Sequence, residues 1–157
     1  MAVSATPELV LCLDTGVWVK FLVKEEPVEL SDAASRLVRR ALAGAQLVAP
    51  AFAWAEVGSV LRKKVRQSLL QEDQAGELWS RFLQLPLNYL GGLEVRERAW
   101  EIAVSYSLPT LYDAAFLACT EVAVAPEGLS REFWTVDTEL LHALGAQRPP
   151  YVRELIP

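Results

Sequence analysis

Residues 9–24 read LVLCLDTGVWVKFLVK: a five-residue apolar run, Leu9–Leu13, then Asp14, then a stretch apolar on nearly every side. The run offers no side chain to solvent, so it predicts a strand buried on both faces, as in parallel sheets. The residues after it, from about Thr15 to Lys24, read as a helix. The same alternation continues outward. Gln46–Ala49 is a short strand, and Pro50 opens a helix to about Gln67. Leu87–Leu90 precedes a Gly91–Gly92 turn and a helix over Glu94–Ser107, and Phe133–Val136 precedes one over Thr138–Leu144. Further helices are expected from a Ser31 or Asp32 cap to Ala43, over Glu72–Leu85, and over Thr110–Val124. Ala125–Ser130 reads as a loop and Tyr151–Leu155 as an edge strand. Strands alternating with helices predict an α/β fold with a central, mostly parallel sheet flanked by helices. Such sheets bind ligands at the carboxyl ends of their strands.

At 157 residues, with no repeat or long linker, the chain reads as one domain over residues 1–157. Apolar residues at 52% and charged residues at 22% exclude a disordered chain. The longest uncharged stretch, Ala41–Ala55, falls short of the roughly 18–20 apolar residues that span a bilayer. Met1–Glu8 puts no basic residue ahead of an apolar core, so no cleaved secretory leader is expected. The expectation is a soluble, cytoplasmic protein without a membrane partner. Fifteen basic residues against twenty acidic ones give a net charge of −5, against a protein that coats nucleic acid by general basicity. Cys12 and Cys119, far apart in apolar surroundings, are too few for a disulfide framework or a cysteine zinc site and read as buried hydrophobes. The single histidine, His142, reads as a surface helix position.

Four acids stand where charge is otherwise scarce. Asp14 is the only charged residue between Glu8 and Lys20, Glu56 between Arg40 and Arg62, and Asp113 between Glu101 and Glu121. Asp137 directly follows the fourth strand. A carboxylate in low dielectric takes up a proton, pairs with a cation or binds a metal. Each acid also has an ordinary reading. Asp14 and Asp137 suit helix caps, Asp113 suits a capping box with Thr110, and Glu56 suits a solvated helix face. Four together, two at strand ends and two on helices able to flank those ends, point to a divalent cation. Oxygen-only ligands favour Mg²⁺ or Mn²⁺. The triplet Asp14-Thr15-Gly16 also matches the turn of retroviral-type aspartic proteases, but those are all-β and this chain has mostly helical period.

The segments carrying these acids resemble the PIN-domain nucleases, and in particular the VapC-type toxins of toxin–antitoxin pairs. They are LCLDTGVWVKFLVKEEP with Asp14 and Thr15, APAFAWAEVGSVLRKKVR with Glu56, LPTLYDAAFLACTE with Asp113, and FWTVDTELL with Thr135 and Asp137. Gly16 departs from the polar residue usual there, and the stretch from Val122 to Arg131 is slightly long. The resemblance implies a Rossmann-like three-layer sandwich, a homodimer, Mg²⁺-dependent RNA cleavage and inhibition by a cognate antitoxin. Asp14, Glu56, Asp113 and Asp137 would be the catalytic and metal-binding residues, with Thr15 and Thr135 behind them or on the scissile phosphate. Lys63 and Arg66, down the helix from Glu56, suit RNA phosphates, or else only the negative end of the helix dipole. The apolar first helix is either buried or covers a partner. A PIN nuclease of RNA processing and a catalytically silent PIN-fold binding module are the alternatives.

Overall fold

The structure, a computed structural model, describes residues 7–157. Residues 1–6, part of the segment read above for a leader, lie outside the described residues. The elements run β1 (Leu9–Leu13), α1 (Thr15–Leu22), α2 (Val28–Gly44), β2 (Ala45–Pro50), α3 (Ala53–Arg66) and α4 (Glu72–Leu83). They continue with β3 (Asn88–Leu90), α5 (Leu93–Tyr106), α6 (Tyr112–Val122), β4 (Ser130–Thr135), α7 (Thr138–Leu144) and β5 (Val152–Glu154). A short 3₁₀ turn, Gly145–Gln147, follows α7.

The five strands form one sheet in the order β3-β2-β1-β4-β5, every pair parallel. Side chains alternate across β1. Val10 and Cys12 enter a core with α5, α6 and α7, while Leu9, Leu11 and Leu13 enter another with α1, α2 and α4. Helices therefore cover both faces, giving three layers around the fully buried β1. From β1 the chain winds outward through β2 and β3, then returns to β4 on the other side of β1. The winding reverses between β1 and β4, and a crevice opens at such a reversal outside the carboxyl ends. Asp14 follows β1 and its backbone N–H donates to the Trp134 carbonyl at 3.0 Å, so the end of β4 lies beside it.

The first helix is covered from within the chain. Val17, Trp18, Val19 and Leu22 are all buried. Trp18 meets Phe82 of α4 edge to face at 5.8 Å, an arrangement worth about 0.5–1.5 kcal/mol beyond simple burial. Both cysteines are buried and unpaired.

Several boundaries differ from expectation: β4 begins at Ser130, three residues before the expected Phe133, and three others differ for a local reason. The second helix begins at Val28, after Pro27, and not at Ser31. The Ser31 hydroxyl instead donates to the Glu25 carbonyl at 3.2 Å and fastens the loop before the helix. Pro50 closes β2 and does not open α3; there it extends past the pairing with β1 and lies beside Leu90. The sixth helix starts at Tyr112, with Leu111 at its cap and no side-chain cap bond, so Thr110 and Asp113 form no capping box.

The departure at Gly16 has a steric cause. A Cβ there would stand 2.6 Å from Cγ2 of Val136, in the segment that leads from β4 to Asp137. The β-branched valine has little rotamer freedom with which to yield. We expect Gly16→Ala to destabilise the protein by about 1–3 kcal/mol in urea melts, the range for overpacking. The loss should shrink markedly in a Val136→Ala background. Equal losses in the two backgrounds would show that this contact is not the cause.

Candidate active site

Each of the four acids sits at the start of a helix or one residue before it, and all four are half-buried. Asp14 caps α1: its Oδ1 accepts from the Gly16 N–H at 2.9 Å, and its Oδ2 accepts from the Thr135 hydroxyl. Thr135 is wholly buried at the end of β4, and its oxygen in turn accepts from the Asp137 N–H at 2.9 Å. Asp137 caps α7 through the N–H groups of Glu139 and Leu140, at 2.9 and 3.1 Å. Glu56, in the first turn of α3, accepts from the Thr15 hydroxyl at 2.6 Å. A string of hydrogen bonds and adjacent residues thus ties Glu56, Thr15, Asp14, Thr135 and Asp137 together across three elements. Asp14 and Asp137 are caps, as their ordinary reading expected, and capping is what fixes where their remaining oxygens lie.

Asp113 is different. Among the described residues its carboxyl has no hydrogen-bond partner. Burial lifts it to about 6, with further upward pushes from Asp14, Asp137 and Glu56 in that order. Asp14 is likewise raised, chiefly by burial, although the Thr135 and Gly16 hydrogen bonds oppose the rise. The structure therefore brings the four acids within electrostatic reach of one another. With its folded value above the ordinary 3.8, the Asp113 carboxyl supports the fold fully below about pH 4. That support is lost as pH rises through about 6.

The donor set suits a hard divalent cation. It consists of carboxylate oxygens alone, two of the acids held by threonine hydroxyls, and none of the four is in an ion pair among the described residues. Among the described residues no three acidic, imidazole or thiol groups already stand close enough to cage an ion. Side-chain adjustment would accompany binding. Asp14, Glu56, Asp113 and Asp137 are the residues that would hold such a metal.

Both threonines orient carboxylates, which sequence reasoning left open between that role and holding a phosphate. The basic run of α3 divides. Arg62 donates to Glu72 at 2.6 and 2.8 Å, and Lys64 to Glu25 at 2.6 Å. Lys63 and Arg66 make no ion pair among the described residues and line a groove between α3 and α4. Arg40 of α2 is held in a two-bond pair with Glu132. His142 is exposed in the last turn of α7, as expected. Sequence reasoning missed the Gly16 amide and Val136, neither of which carries a local signal.

The sequence profile described as PIN domain matches residues 11–143, which include all four acids and both threonines. No curated protein matches the chain closely enough to count as a relative. With the five-stranded parallel sheet between its helix layers, the matched span places this chain in the PIN domain family, whose members are generally metal-dependent nucleases.

Proposed function

We propose that the protein is a Mg²⁺- or Mn²⁺-dependent endoribonuclease acting as the cytoplasmic toxin of a VapBC-type toxin–antitoxin pair. The observation that carries the nuclease reading is the convergence of Asp14, Glu56, Asp113 and Asp137 at the reversal of the sheet, with Asp113 raised by burial and further by the other three. A bound divalent cation would neutralise charge on the phosphoryl oxygens and lower the pKa of an attacking water. The chain's own part is to hold the carboxylates still. Thr135 and the Gly16 amide fix Asp14, Thr15 fixes Glu56, and the α7 amides fix Asp137. Any of the four acids not bound to the metal could take the water's proton as a phosphodiester is cut, and Asp113 is the one with no hydrogen-bond partner among the described residues. Lys63 and Arg66 supply the positive charge that an acidic protein needs to hold RNA.

The toxin role brings an antitoxin partner, and its gene would neighbour this one. The α5 face bearing Leu93, Trp100 and Val104, each more than 60% exposed, suits a homodimer contact. Among the described residues no helix is long and apolar enough to cross a membrane.

Purified protein should cut single-stranded RNA with Mg²⁺ or Mn²⁺ present and stop in excess EDTA. Undiminished cutting in chelator would end the metal reading.

Repulsion supplies a second test, read in stability. In EDTA at neutral pH, Asp113→Asn should melt at or above the wild-type temperature, because one of four clustered charges is gone. Metal at about 100 times its Kd should then stabilise the wild type by about 2.7 kcal/mol and the variant much less. Equal destabilisation of the variant in both buffers would remove Asp113 from the site.

A further inference from the structure

A groove of about 1100 Å³ lies between α3 and α4, and none of the four acids lines it. Its volume is slightly above the range for small-ligand clefts, roughly 300–1,000 Å³, so it suits a chain better than one small molecule. Two features converge on it. The first is charge. Of the four cations in the Arg62–Arg66 run, the two that are neutralised pair with Glu72 and Glu25, and the two left free, Lys63 and Arg66, both line the groove. Among the described residues the only carboxylate lining it, Glu72, is the one already held by Arg62. A chain of net charge −5 thus presents a groove of positive sign.

The second is aromatic. Trp54, in the first turn of α3, is 49% exposed, and Trp79 of α4 lines the opposite wall. Trp79 stacks on Phe82 at 5.8 Å and lies against Gly58, where a Cβ would stand 3.1 Å from its ring. That support holds the indole rigid. Unpaired cations and an exposed indole in one groove are what unpaired nucleotides require: phosphates meet the cations, and bases stack on a ring face. A duplex keeps its bases stacked inside and gains only the charge. One helix joins the groove to the acids, because Lys63 follows Glu56 by seven residues, about two turns along the same face of α3.

We infer that the α3–α4 groove is a track for single-stranded RNA, with Trp54 as a stacking platform and Lys63 and Arg66 as phosphate contacts. The proposal rests on the nuclease reading for its direction toward Glu56, but its binding test does not depend on cleavage. The affinity of a fluorescein-labelled oligoadenylate about ten nucleotides long is measured by anisotropy in EDTA, alone and annealed to oligouridylate. The single strand should bind more tightly than the duplex. Trp54→Ala should weaken it at least about fivefold, and Trp54→Phe should restore most of the loss. The Lys63→Ala/Arg66→Ala double variant should flatten the salt dependence by about 0.7 per cation removed.

Unchanged oligoadenylate affinity in Trp54→Ala, the result expected if the groove seats a peptide, would overturn the proposal. So would inorganic polyphosphate of matched charge binding as tightly as the single strand. Cleavage in Mg²⁺ is scored separately. A wild type that cuts RNA while Trp54→Ala binds normally loses the track and keeps the nuclease. A wild type that never cuts, but binds through Trp54, keeps the track and loses the nuclease.

Discussion

A central strand buried on both faces leaves no room for charge along its length, so polar chemistry is driven to its end. Here β1 is buried throughout, and the first charge after it is Asp14. The neighbouring β4 ends at Thr135, whose buried hydroxyl has one carboxylate and one amide to satisfy it. The desolvation that holds these groups in place also raises Asp14 and Asp113. Fold and site are therefore one constraint. The packing that stabilises the sheet makes its carboxyl edge short of positive charge.

Much of this was legible in sequence because it is local. The apolar run Leu9–Leu13, the helix after it and the isolation of the four acids each occupy a few consecutive residues, and the strands and helices fall near where periodicity put them. What was not legible is long-range. The Thr15–Glu56 bond joins residues 41 apart, and nothing near either announces the other. The same holds for the division of the α3 cations, which depends on Glu25, on the far side of α2 and β2 in sequence. Ser31 and Pro50 misled for a common reason. Serine and proline mark helix starts only when no tertiary partner claims them, and here a loop carbonyl and a neighbouring strand did.

The third helix joins the two halves of the molecule's chemistry. Its first turn carries Glu56 toward the acids, its buried side packs Val57 and Leu61, and its remaining side faces α4 across the groove. A helix so placed has little freedom to move without disturbing all three. The Lys64–Glu25 pair, with Lys20 on the same carboxylate at 3.0 Å, ties it further to the loop after α1.

The two outer strands, β3 and β5, are only three residues long each. An exposed strand edge is a template on which other chains can pair and aggregate, and brevity is one way that proteins blunt it. With so little edge on offer, this sheet is poorly built to grow by strand addition. Association, whether with a second copy or another protein, is thereby directed to helix surfaces, and the sheet stays closed to the cross-β stacking that makes an unprotected parallel sheet an amyloid hazard.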